Sequence, residues 1–373
     1  MRNLRVPLTS LLLAAALMVV ALAQDPAGEP GDNAAPADNT APVAPAKPAL
    51  PQGDTGLAAI HPGDVGLDKD ADVLLVESFE KGDTSDLATR WSDVKNPGGN
   101  ALQYIADDVP AGADGSHSLR ITATLANDTG GHLYTRLPRE VTTMFARFYV
   151  KFPTDTSYTH HFVHLGGYHP STPWPQGGAG ERPDGDTRMT TGIEPHGNWG
   201  RIEPPGSWGF YSYWHRMNIC PDGKYWGNVF APETTPRIPR GTWQCVELMM
   251  KLNTVGKSDG ELALWLDGKL VMHFAPGTRV HVHNTGAMIT LAPESDREAR
   301  AFDGFDWRSS DDLKLNFFWL LYYVTPNTFR QNRVANPPAT QSVQFDNIVV
   351  ATRYIGPVRA APRTAEGRDH DNR

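Results

Sequence analysis

The chain has 373 residues, of which 40% are hydrophobic, 20% charged and 9% aromatic, with 35 glycines, 31 prolines and two cysteines. That is too apolar for a disordered chain, and the glycine and proline load argues against a helical bundle. The formal charge of −8 divides unevenly: residues 1–23 carry +2, 24–70 carry −6, 71–357 carry −5 and 358–373 carry +1. A body so close to balance makes no case for a nucleic-acid partner.

Residues 1–23 read as a signal peptide. Arg2 and Arg5 precede an apolar run from Leu8 to Leu22, and Ala21-Leu22-Ala23 fits a small-x-small cleavage site. No later stretch reaches the roughly 20 apolar residues of a spanning helix, so a secreted protein with no membrane partner is expected. Residues 24–70 are rich in Ala, Pro, Gly and Asp with hardly an aliphatic cluster, which predicts a disordered linker. Residues 358–373 read as a flexible tail.

Between them, residues 71–357 form one predicted domain of many short strands. Runs at Val73–Phe79, Ser118–Leu125, Phe145–Phe152, Trp243–Leu252, Glu261–Leu266, Lys269–Phe274, Leu313–Val324 and Ser342–Thr352 are rich in β-branched and aromatic residues. In one of them Val246, Leu248, Met250 and Leu252 face one side, and Cys245, Glu247 and Lys251 the other. Asp267-Gly268 between two such runs is a hairpin signal, because a type I′ turn needs two residues that accept positive φ. No segment has the apolar period of a three-turn helix, and the pattern predicts an all-β sandwich of two antiparallel sheets. Cys220 and Cys245 are expected to pair in an oxidising compartment, closing a loop worth roughly 3 kcal/mol.

The middle of the domain carries the chemistry. Five tryptophans (174, 199, 208, 214 and 226) and six histidines lie between Tyr158 and Phe230, suited to stacking on sugar rings or to the core. In GFYSYWHRM, read as a strand, Tyr211, Tyr213 and His215 share one face, and two phenols with an imidazole can serve acid and base steps. In THHFVHLGG, His160 and His164 fall on one side and His161 on the other. The spacing is zinc-like chiefly on a helix and shows no third ligand, so a general base or carboxylate-binding histidine is favoured over a metal ligand, and a structural role over either for any one of the three. Arg188, Thr190, Gly192 and Glu194 share a face, where the arginine either holds a uronate carboxylate or pairs with Glu194. The local acid pairs of sandwich glycosidases are absent, as are nucleophile-elbow, phosphate-loop and dinucleotide motifs.

The order LLVESFEKGD, SLRITA, FARFYVKF, WQCVELMMKLNTVGKSDGELALWLDGKLV and VQFDNIVVATRYIGP resembles concanavalin A-like β-jelly-roll polysaccharide lyases. It is most similar to the alginate and glucuronan lyase families, polysaccharide lyase families 14 and 20. Leu165-Gly166-Gly167, Arg188 and Tyr211-Ser212-Tyr213 follow the order of the alginate lyase site; the family's lysine is absent, and His161 falls near its place. The resemblance implies β-elimination on an anionic, uronate-containing polysaccharide. It places Tyr211 and Tyr213 as base and acid in either order, with Arg188 and His161 or His164 on the carboxylate. His160, His215, Asn228, Trp214 and Trp226 are expected to bind substrate. No catalytic cofactor is implied; a structural calcium on Glu77 and Asp346, near the Gly115 carbonyl, is. A monomer is expected. A lectin-like binding module and, less favoured, a glycoside hydrolase are the alternatives.

Overall fold

The structure, a computed structural model, describes residues 49–125, 129–232, 234 and 236–360. The expected signal peptide, the linker up to residue 48 and the tail beyond 360 lie outside the described residues. In chain order the strands are β1 (Val73–Glu77), β2 (Asp93–Lys95), β3 (Leu102–Ala106), β4 (His117–Thr124), β5 (His132–Val141) and β6 (Thr143–Lys151). They continue with β7 (Val163–Tyr168), β8 (Arg188–His196), β9 (Ser207–Tyr213), β10 (Asn228–Pro232), β11 (Trp243–Lys251) and β12 (Glu261–Leu266). The last are β13 (Lys269–Phe274), β14 (Arg279–His283), β15 (Met288–Leu291), β16 (Arg300–Ala301), β17 (Leu315–Leu321) and β18 (Thr340–Ala351). One short helix, α1 (Pro326–Gln331), precedes β18; Pro at its start fits the fixed φ of a first helical position.

These strands form two sheets. The first runs β13-β12-β11-β6-β18-β4-β3, with β1 also pairing β18; the second runs β16-β14-β15-β10-β9-β8-β7-β17-β5-β2. All pairs are antiparallel except β10 with β15. The chain passes repeatedly between sheets, as β5 to β6 does, and builds the expected jelly-roll sandwich. Phe148, Val246, Leu248, Met250 and Phe345 of the first sheet meet Leu165, Ile193, Phe210, Phe230 and Phe318 of the second in one core. Alternation is therefore obeyed, and the Asp267-Gly268 hairpin joins β12 to β13 as expected, both residues at positive φ.

The first sheet is buried on its other face as well, and this corrects the linker boundary. Residues 49–70 are folded, with 3-10 turns at Leu57–Ala59, Pro62–Asp64 and Leu67–Lys69. Leu57, Ala58 and Leu67 pack on Phe145, Met249, Trp265 and Val349. Arg147, fully buried in β6, donates to both carboxylate oxygens of Asp64 and to the carbonyls of Gly356 and Asn347. The start of the expected tail is docked too, since Val358 N donates to Tyr149 Oη and Gly63 N to Arg359 O. Polar composition concealed a segment held by a few apolar anchors and one buried ion pair.

The expected disulfide is absent: Cys220 and Cys245 are free thiols. Cys245 lies in β11 on the face turned to residues 49–70, whereas Cys220 follows β9 of the other sheet, with its Sγ 3.8 Å from Trp226 O. The sandwich lies between them. Burial pushes both thiols up, so Cys245 is a small core group and not a nucleophile.

Candidate active site

Four neighbouring strands of the second sheet build the site. Trp319 of β17 pairs with His164 of β7, His164 with Gly192 of β8, and Gly192 with Tyr211 of β9. Paired residues share a face, so this row crosses the side of the sheet opposite the core. Thr190 pairs with Gly166 and Tyr213 in a parallel row. Tyr134, Tyr168, Phe317 and Trp319 pack together on the same face, Tyr168 stacked on Phe317 at 4.6 Å between centroids. Tyr134, Tyr168 and Phe317 are themselves buried and support Trp319, whose partly exposed ring offers flat apolar area to the C–H face of a sugar.

A cavity of about 250 Å³ lies over this face, lined by His161, His164, Tyr168, Arg188, Thr190, Tyr211, Tyr213, Trp319 and the 176–179 loop. A second cavity of about 270 Å³, lined by Lys95, His132 and Tyr323 among others, shares His161, Trp319 and Leu321 with the first. Together they form a groove across several strands, the shape a polymer requires.

At one side of the groove the Tyr211 and Tyr213 hydroxyls lie 3.3 Å apart. Burial raises both phenols, but unequally. Tyr211 is held well above the usual tyrosine range, first by burial and then by Tyr213. For Tyr213, hydrogen bonds from Tyr211 and the Gly227 and Gly180 backbones oppose the effect of burial. Both phenols therefore rest protonated, joined by one hydrogen bond along which a proton can pass. A Cβ on Gly227 would come within 2.5 Å of the Tyr211 ring, so only glycine admits the ring there.

Facing the phenols, the His161 and Tyr211 rings are 5.3 Å apart. His161 Nδ1 lies 2.8 Å from Glu194 Oε1, and His164 Nε2 lies 3.6 Å from the same oxygen. Burial would raise the Glu194 carboxyl, but His161 and then His164 and His160 outweigh it and keep it ionised below its ordinary range. His164, buried in β7, is pushed down by desolvation, which the Glu194 charge only partly opposes. His160 is brought to about 4, chiefly by burial and then by His161. It stacks on His161 at 4.3 Å, and its Nδ1 shares a hydrogen bond of 2.7 Å with the Thr325 hydroxyl.

Arg188 reaches the groove but does not pair with Glu194. Its guanidinium donates to the carbonyls of Gly177, Gly178 and Glu181 and thereby shapes the loop over the cavity. Gly178 has φ +120°, and a Cβ there would overlap the guanidinium.

Other expected residues lie elsewhere. β9 ends at Tyr213, so His215 leaves the strand face and sits 3.4 Å from Asp306 Oδ1. Trp214 is core, within 6 Å of Phe230, Phe305 and Trp307. Asn228 pairs with Ser212 on the buried face and is consumed by the Asn218 backbone, accepting from its N at 2.7 Å and donating to its O at 2.9 Å. Trp226 is half-buried near Gly180, its indole N–H on Asp222. Glu77 accepts from Arg90, Trp91 and the Phe79 amide. Asp346 is raised to about 8, chiefly by burial. Glu77 lies on β1 opposite Ile348 of β18, two residues from Asp346, and its oxygens are taken by those three donors. Sequence reasoning left out Trp319, Tyr168 and Tyr323, which alternation along β17 and β7 alone does not distinguish from core.

No family model matches the chain, and no curated protein matches it. Among solved structures it is similar to the marine PL-14 alginate lyase from Aplysia kurodai, at 13% identity and TM-score 0.48, covering 76% of this chain and 100% of that one. The alginate lyase vAL-1 from Chlorella virus gives 13% identity and TM-score 0.47 over 76% and 100%. The endo-β-1,4-glucuronan lyase from the fungus Trichoderma reesei gives 16% and 0.40 over 70% and 91%. Similarity at this level assigns no chemistry, which has to come from the groove itself.

Proposed function

We propose that the chain is an extracellular polysaccharide lyase that cleaves a uronate-containing polymer by β-elimination. The observation that carries this reading is the hydroxyl pair of Tyr211 and Tyr213, 3.3 Å apart, facing the imidazoles of His161 and His164 in one groove. Among the described residues the one carboxylate tied to both His161 and His164 of the groove is Glu194, and a single carboxylate lacks the partner that glycosidase chemistry needs.

In this reading the C5 carboxylate of a bound uronate lies toward His161 and His164, which makes the C5 proton removable. The Tyr213 phenolate takes that proton; the C5–H electron pair becomes the C4–C5 double bond as the C4–O4 bond breaks. Tyr211, which holds its proton, gives it to the departing O4. Tyr213 then returns the abstracted proton to Tyr211 across their hydrogen bond, and the pair is reset.

Two hydroxyls so close can serve H5 and O4 only when both lie on one side of the sugar. In a chair with O4 equatorial, as in gluco- and manno-configured uronates, this syn arrangement is met. With O4 axial, as in galacturonate, the two are opposed. The test is incubation with glucuronan, polymannuronate, polygalacturonate and a neutral glucan, following both ultraviolet absorbance of unsaturated uronate and new reducing ends. Absorbance with reducing ends from the first two polymers supports the reading; reducing ends alone would mean hydrolysis, and binding without either would mean a lectin.

A further inference from the structure

Glu194, His161 and His164 offer one oxygen and two nitrogens, with one ligand atom of each lying within 4.8 Å of the others. We propose that these three residues bind one divalent first-row transition-metal ion, of the zinc or cobalt type, in the groove.

The geometry is that of an assembled ligand set. His164 donates Nδ1–H to Phe162 O at 2.9 Å, which fixes the tautomer and leaves the Nε2 lone pair aimed at the cluster. That Nε2 stands 3.6 Å from Glu194 Oε1, too far for a hydrogen bond. Ligand atoms about 2.1 Å from a tetrahedral ion are about 3.4 Å apart, so this edge is already open to the right width. His161 Nδ1, at 2.8 Å from the same oxygen, has only to part from it by about half an ångström, its proton moving to Nε2. Its ring is held by stacking against His160 at 4.3 Å and Tyr323 at 5.9 Å. Gly192 lets the ring lie flat against β8: a Cβ there would stand 2.6–2.9 Å from Nε2, Cδ2 and Cε1 of His164, over the ring face.

Two neutral imidazoles and one carboxylate suit zinc, cobalt or nickel rather than calcium or magnesium, which take oxygen ligands. Three protein ligands leave a fourth position, and His161 and His164 line the cavity, so that position faces the groove. There the ion would receive an anionic oxygen of the bound ligand. This last role rests on the lyase reading, because a uronate carboxylate supplies that oxygen; the metal site itself does not.

The test uses the full chain without a histidine tag, stripped with a chelator and titrated with Co(II) by visible absorption and with Zn(II) by calorimetry. One ion per chain, with the visible bands of low-coordinate Co(II), is expected. His164→Ala and Glu194→Gln should each weaken Zn(II) by more than about 10-fold, while Tyr213→Phe, outside the ligand set, should leave affinity and stoichiometry unchanged. Absence of stoichiometric binding, or binding equally tight in both ligand variants, overturns the site. A parallel titration with glucuronate separates the two readings. If Zn(II) binds but glucuronate affinity ignores it, the carboxylate role falls and the site stands. If Zn(II) does not bind while unsaturated uronate is still produced, the lyase reading stands and the metal site falls.

Discussion

At the residue scale the account turns on Tyr213, and its environment sets the pH dependence. Burial raises its phenol, so the reactive phenolate grows as pH rises, and the rate should climb into the alkaline range. Tyr213→Phe should lower kcat by about 100- to 10,000-fold, the range for loss of a positioned acid or base, while affinity for oligouronate, measured by calorimetry, changes little. A parallel loss of affinity and rate would show instead that Tyr213 only binds. Gly192→Ala is the complementary change, because its methyl would meet the His164 ring; activity should fall with the fold retained by circular dichroism. These contacts explain why the site was only partly legible. Tyr211 and Tyr213 are local, two positions apart on one strand, and alternation finds them. The partnership of Glu194 with His164 crosses from β8 to β7 and depends on register, and His161 joins it from the segment before β7. Extending alternation past Tyr213 misplaced His215, since the strand stops before it.

At the element scale the segment 49–70 is the main departure. Strands that are apolar on both faces need a cover, and Phe145, Met249, Trp265 and Val349 on the outer face of the first sheet were the available signal. Composition alone read the cover as linker because its anchors are three small clusters among Gly, Asp and Pro. The Arg147–Asp64 clamp makes this testable. Asp64→Ala leaves a fully buried guanidinium without its counter-ion and should destabilise the fold by about 3–5 kcal/mol, read from urea unfolding. A change within about 0.5 kcal/mol would place the segment outside the cooperative fold. The free thiols give a second check on the same faces. Alkylation of the unfolded chain without reductant should add two groups, and under native conditions Cys245 should stay protected. A chain that accepts none without reductant contains the disulfide after all.

For the whole molecule, the strands and the two-sheet sandwich were legible because the core obeys alternation throughout, from Phe148 to Phe345. Its buried acids add a stability term that composition does not disclose. Glu247, on the face of the first sheet turned to residues 49–70, is raised to about 7 by burial, against which the amides of Ile355 and Gly356 act. A carboxyl whose folded value lies above its unfolded one, about 4.3, binds its proton more tightly in the fold. Its contribution is therefore full at acid pH and is lost as pH rises from about 4 to about 7. Glu247→Gln should flatten that part of the stability profile measured by urea titration at each pH; an unchanged slope would remove Glu247 as its source. The central claim concerns the reaction. The measurement that tests it most directly is the mass of the oligosaccharides released from glucuronan or polymannuronate. Elimination predicts new non-reducing ends one water lighter than hydrolysis would leave, and fully hydrated ends would contradict the account.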